Sequence, residues 1–134
     1  MIELIPIGHV RSPLVDLADA PRQGDEGAPD ARLVIAADYT DGLAGIAAGD
    51  ELIVLTWLDR ASRDVLAVHP RGERDRPEQG VFATRSPDRP NPIGVHRVVV
   101  TNLDGDTLQV SNLEAIDGTP VVDIKPVLGS IEER

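Results

Sequence analysis

Apolar residues come in short runs along this chain, separated by turn-forming residues. The clearest run is Glu51-Leu52-Ile53-Val54-Leu55-Thr56-Trp57-Leu58. Its length and β-branched content predict a buried strand, with Trp57 as the largest core candidate. Residues 1–10 form another apolar run, in which Pro6 suits a sheet edge or a bulge. Residues 31–37 and 65–68 read as two further short strands. Residues 95–103 and 106–113 flank Asp104-Gly105 and read as a hairpin, because Leu108 and Val110 alternate with polar neighbours. A turn at Asp117-Gly118 leads into a last strand over 120–125, which Pro126 closes.

The polar stretches fit the same frame. Residues 16–30 carry Pro21, Gly24, Gly27 and Pro29 and read as a long loop. Thr40 is placed to cap a short helical turn over 43–48, stopped by Gly49. Residues 59–64 turn the chain, and 73–79 form a charged crossing loop. The count is seven or eight short strands with at most one short helix, and no long helix alternates with them. That pattern predicts an all-β fold, a small β-barrel or strongly curled sheet, in one domain covering 1–134.

One segment breaks the pattern. Gly80 to Gly94 holds three prolines and two arginines between apolar stretches. Each proline fixes φ, removes a donor and restricts the residue before it. The segment is therefore a stiff loop, and a stiff loop loses little entropy on holding a ligand. Arg85 and Arg89 offer planar forks of donors for a carboxylate, a phosphate or a base edge. The blander reading is a rigid connector with solvated arginines.

Composition narrows the chemistry. One Trp, one Tyr and one Phe leave the core to Val, Leu, Ile and Ala. No cysteine is present, which excludes disulfides and thiolate metal sites. His9, His69 and His96 lack the close spacing of a zinc site, so no metal is expected and each reads as structural. No phosphate loop, dinucleotide fingerprint or nucleophile elbow occurs. No stretch is long enough to span a bilayer and no export pattern opens the chain, which reads most simply as a cytoplasmic protein.

The formal net charge of −10 argues against indiscriminate nucleic-acid binding. The charge is uneven, however. Residues 60–97 hold eight arginines against five acids, a net of +3, so a basic patch on an acidic body is expected. Among the acids, Asp117 suits a turn. Asp123 is unusual inside a strand, with Lys125 on the same face. The two read either as a solvated outward pair or as a pair belonging to a site.

The Gly80–Gly94 segment, Gly-Val-Phe-Ala-Thr-Arg-Ser-Pro-Asp-Arg-Pro-Asn-Pro-Ile-Gly, resembles the signature of the TsaA-like family, also called the TrmO family. Asp-Gly-Thr-Pro-Val-Val-Asp-Ile-Lys-Pro at 117–126 resembles a second motif of that family, and Ile7 to Pro13 resembles its opening. The resemblance implies a homodimeric β-barrel methyltransferase that uses S-adenosyl-L-methionine. The activity it implies is methylation of the exocyclic nitrogen of threonylcarbamoyl-adenosine beside the anticodon of tRNA. Cofactor contacts would fall on Pro21, Arg22, Gln23, Leu58, Asp59, Arg85, Asp117, Gly118, Thr119 and Pro120. Arg89, Asn91 and Lys125 would meet the substrate, and Asp123 or Asp59 would take the proton from the nucleophilic nitrogen. Methylation of a small molecule, a non-catalytic sensing role and a plain structural barrel are the alternatives.

Overall fold

A computed structural model describes residues 1–15, 30–69 and 75–129. Eight strands occur in it: β1 (Gly8–Arg11), β2 (Ala31–Ile35), β3 (Glu51–Trp57), β4 (Ala67–Val68), β5 (Gln79–Gly80), β6 (Ile93–Asp104), β7 (Thr107–Ser111) and β8 (Pro120–Pro126). Six of them close into a barrel in the order β1-β2-β7-β6-β3-β8, and β4 pairs with β5 apart from it. β1 closes the ring, pairing with β2 from Gly8↔Ile35 to Arg11↔Arg32 and with β8 at Gly8↔Val121. Two irregularities in register help the sheet to curl. One lies between Val100 and Asn102 on β6, the other between Leu55 and Thr56 where β3 meets β8.

Period-two alternation decides which side chains fill the barrel. Leu33, Leu52, Val54, Val98, Val100, Leu108, Val110 and Val121 point inward and are buried. Leu43 and Leu113 join the same core from outside the strands. The apolar part of the core is aliphatic among the described residues, as the near-absence of aromatics requires.

Several expectations shift. Trp57 is only partly buried, because Leu52, Val54 and Thr56 take the inward positions of β3 and place Trp57 on the outer wall. The first strand begins at Gly8 rather than at the N-terminus. Met1, Ile2, Leu4 and Ile5 are exposed, and Pro6 has no N–H to give a ladder. The helical turn lies at Ala37–Leu43 as a 3₁₀ segment, not at 43–48. Gly45 and Gly49 both adopt positive φ and turn the chain there. Thr40 lies inside the 3₁₀ segment, with its hydroxyl donating to Ala37 O at 3.1 Å. A second 3₁₀ turn covers Val81–Ala83, and no α-helix occurs among the described residues.

Candidate functional site

Every barrel pairing is antiparallel, so alternate strand ends share a rim. β1, β3 and β7 end where β2, β6 and β8 begin. The residues after Arg11, the residues after Trp57, the loop entering β6 and the turn entering β8 therefore gather at one mouth of the barrel. Two of the expected cofactor segments adjoin this mouth, Leu58 with Asp59 just after β3 and Asp117 to Pro120 entering β8, while Arg85 lies further out in the signature loop that leads into β6. Pro21, Arg22 and Gln23 lie outside the described residues.

The signature loop is built from within. Arg89 Nε donates to Ser86 O at 2.8 Å, while Nη2 donates to Thr84 O at 2.6 Å and to Val81 O at 2.5 Å. Its fork thus gathers three carbonyls of its own loop. Arg89 was expected to meet substrate; in this structure its Nε and Nη2 are taken up by the loop. Hydroxyls brace the same turns. Thr84 Oγ1 accepts from Ser86 N at 3.1 Å, and Ser86 Oγ accepts from Asp88 N at 3.3 Å.

The loop is then fastened to the residues after β3. Ser62 N donates to Asp88 Oδ1 at 2.8 Å, and Arg89 N donates to Ser62 O at 3.0 Å. Arg63 lies over the Trp57 ring, 5.2 Å from its centroid, and donates to Pro90 O and Asn91 Oδ1 at 2.8 and 3.1 Å. Outward placement thus gives Trp57 a use, as a platform for the arginine that clamps the loop. Leu58 N donates to Pro92 O at 2.8 Å. Asp64 accepts from Ser62 Oγ at 2.5 Å, and this bond holds its carboxyl below the usual carboxylate range.

Arg85 behaves differently. It is exposed and has no hydrogen-bond or ion-pair partner among the described residues. A stiff loop thus presents an available cation. Asn91 is also exposed, with its side-chain oxygen engaged by Arg63. Asp59 is exposed at the same mouth, its N–H donating to Trp57 O at 2.9 Å.

The Asp117 turn is tied to the end of β1. Asp117 N donates to Leu14 O at 2.7 Å, and its carboxylate accepts from Ser12 N at 2.9 Å. Gly118 has φ 88°, a conformation that favours glycine, and donates to Val10 O at 2.7 Å. Thr119 is buried, with its hydroxyl donating to Ile116 O at 2.7 Å, and Pro120 pairs with His9. A cleft of about 590 Å³ opens beside this turn, lined in part by Arg11, Ser12, Asp30, Arg32, Gln109 and Asp117. Pro13 and Asp30, which flank the segment holding Pro21 to Gln23, both line it.

Asp123 and Lys125 are not brought to the mouth. Asp123 pairs with Leu55 and Lys125 with Ile53, on the outer wall. Lys125 Nζ lies 3.1 Å from Asp123 Oδ2, with both side chains about half exposed (62% and 47%). They form the solvated outward pair, about three residues or 10 Å along the strand from Pro120.

Sequence reading took His96 as structural and did not show the polar cluster it belongs to beneath this mouth. His96 is 4% exposed and Thr56 fully buried, and both point into the barrel. Thr56 Oγ1 lies 2.7 Å from His96 Nε2, and Glu114 Oε1 lies 2.6 Å from His96 Nδ1. Alternation along β6 places His96 inward with Val98 and Val100, but nothing local indicates that Thr56 and Glu114 meet it. Among the described residues no group of three His, Asp or Glu side chains could hold a metal ion.

Fold and site together define a small antiparallel barrel whose candidate ligand-binding loops are collected at one mouth. The chain belongs to the family of the tRNA-methyltransferase O N-terminal domain, whose model matches residues 9–133. It is 48% identical over 122 residues to an S-adenosyl-L-methionine-binding protein of Archaeoglobus fulgidus, covering 91% of this chain and 86% of that protein. It is 47% identical over 132 residues to a probable S-adenosyl-L-methionine-binding protein of the same organism, covering 98% of this chain but only 36% of the relative. Two crystal structures of TrmO from Pseudomonas aeruginosa match with TM-scores of 0.76 and 0.74 at 27% and 28% identity. Each match covers 100% of this chain and 59% or 61% of the TrmO chain.

Proposed function

We propose that this chain binds S-adenosyl-L-methionine and transfers its methyl group to the exocyclic nitrogen of threonylcarbamoyl-adenosine beside the anticodon of tRNA, as a cytoplasmic homodimer. Family membership and the names of the relatives support the cofactor. The observation that carries the site is that Leu58, Asp59 and the Asp117 turn adjoin one rim of the barrel, with the signature loop leading into the same rim and its Arg85 free of hydrogen-bond or ion-pair partners among the described residues. An exposed guanidinium on a braced loop fits a ligand that carries a carboxylate.

When bound, the cofactor supplies an electrophilic methyl group on a sulfonium. Arg85 would hold its carboxylate, and the loop that Arg89 braces would fix that contact in place. Asp59 would accept the proton that leaves the acceptor nitrogen. Asp123 is engaged by Lys125 on the outer wall, which favours Asp59 for this role. Phe82, 81% exposed on the same loop, offers a ring on which a base can stack. The net charge of −10 is the observation that favours the second reading, transfer to a small-molecule acceptor.

Arg85→Ala should weaken S-adenosylmethionine binding at least about tenfold. Unfolding stability should stay within about 0.5 kcal/mol of wild type, since the side chain is exposed and makes no hydrogen bond or ion pair among the described residues. Calorimetric titration beside thermal denaturation checks both. A wild-type protein that takes up no cofactor would sink the functional reading. Asp59→Asn should lower methyl transfer to tRNA about a hundredfold or more at unchanged cofactor affinity, and Asp123→Asn should leave turnover as it was. Radiolabelled methyl transfer onto total tRNA reads out both. Turnover of S-adenosylmethionine without labelling of tRNA would favour a small-molecule acceptor.

The homodimer reading rests on the outer wall of β3 and β6. Leu55 lies beside Val95 there, and Trp57 beside Ile93. Val95 and Ile93 are 46% and 40% exposed. The Arg97–Glu51 and Lys125–Asp123 pairs flank this wall and bring both charge signs to its edges, which suits a two-fold copy of itself. Val95→Asp should shift the protein from dimer to monomer by light scattering. A wild type that already runs as a monomer overturns the assignment.

A further inference from the structure

The buried cluster under the mouth fills no role in the reaction as described. Its three members come from three parts of the chain, and each lies a short step from a segment of the candidate site. Thr56 is two residues before Leu58. His96 is two residues after Gly94, where the signature loop ends. Glu114 is three residues before Asp117. Thr56 Oγ1 and His96 Nε2 share one hydrogen bond, and His96 Nδ1 and the Glu114 carboxylate share another. No buried side-chain nitrogen or oxygen among the described residues lacks a partner.

We infer that His96 is a positioning residue of the cofactor site. Through Thr56 and Glu114 it locks the end of β3, the entry to β6 and the approach to the Asp117 turn into one rigid mouth. This inference rests on the cofactor reading for its functional consequence.

A buried polar network in an aliphatic barrel contributes little net stability, because apolar groups of similar shape can replace it at no loss. What apolar side chains lack is direction. Hydrogen bonds fix the distance and angle between elements that dispersion alone leaves free to slide. The chain also leaves space for this cluster. A Cβ at Gly94 would lie 2.5 Å from Thr56 Oγ1 and 2.8 Å from His96 Nε2.

The test is the triple variant Thr56→Val, His96→Leu, Glu114→Leu. Its melting temperature should match or exceed that of wild type. Amide hydrogen exchange should quicken at Leu58 and Asp117, whose N–H groups bond to Pro92 and Leu14 across the mouth. Exchange at Gly49 and Val100, bonded at the opposite end of the barrel, should not change. The S-adenosylmethionine Kd should rise at least about tenfold. Glu114→Gln, which keeps an acceptor oxygen, should retain wild-type exchange and affinity. A triple variant with unchanged exchange at the mouth and unchanged Kd overturns the assignment and leaves the cluster as packing. Should the triple variant not fold, Thr56→Val alone decides: slowed or unchanged exchange at Leu58 overturns the assignment. If wild type binds no S-adenosylmethionine, the cofactor reading fails by itself, and the exchange comparison still settles whether His96 holds the mouth together.

Discussion

Arg89→Ala should destabilise the protein by about 2–3 kcal/mol and abolish cofactor binding as well. The stability figure follows from hydrogen bonds between a charged donor and carbonyls, which contribute roughly 1.5–3 kcal/mol each but do not add when they share one side chain. Removing the guanidinium leaves the carbonyls of Val81, Thr84 and Ser86 without their shared donor. Like charges on the same loop do not predict this. Arg85→Ala removes the same charge four residues away and should leave stability nearly unchanged. The comparison of the two variants is the measurement, by chemical denaturation followed by calorimetric titration. A loss of binding without loss of stability in Arg89→Ala would mean that its fork faces ligand rather than loop. Arg89→Lys should not rescue, because an ammonium cannot span three carbonyls held by a planar fork.

That contrast marks where sequence reading stops. Three prolines in fifteen residues are enough to predict a stiff loop, because proline constrains φ wherever it sits. Which arginine turns back onto the loop depends on where its carbonyls point, and no spacing rule encodes that. Strand periods were legible for the same local reason: the alternation of Leu108 and Val110 marks β7 without any partner. Barrel closure was not marked locally, since β1 meets β8 more than a hundred residues away. The run around Trp57 misled because every residue from Leu52 to Leu55 is apolar. One face of it packs the core, and the other lies on the outer wall with the clamping Arg63. Nothing local told Asp123 from Asp59, because only the register shows that Asp123 lies on the outer wall beside Lys125, whereas Asp59 follows the end of β3.

Gly94→Ala should cost about 1–3 kcal/mol, the usual range for overpacking a well-filled interior. The magnitude depends on what must give way. Gly94 pairs with Thr56 on β3 and is buried. The added methyl would press on the Thr56 hydroxyl at 2.5 Å, on His96 Nε2 at 2.8 Å and on Leu58 Cδ2 at 3.2 Å. The first two are the two ends of one hydrogen bond, so the methyl can be admitted only by opening it. Leu58 could shift, but it belongs to the candidate cofactor segment, and moving it carries the strain to the mouth. Stability and cofactor affinity should therefore fall together in Gly94→Ala. Adding Thr56→Val does not relieve the crowding, because valine keeps a methyl where the hydroxyl stood. Adding Thr56→Ala does, and the double variant should recover part of the lost stability without recovering affinity. Denaturation midpoints and Kd values for the two variants decide it. Recovery of both together would mean that crowding alone, and not the loss of the Thr56–His96 bond, had disturbed the site.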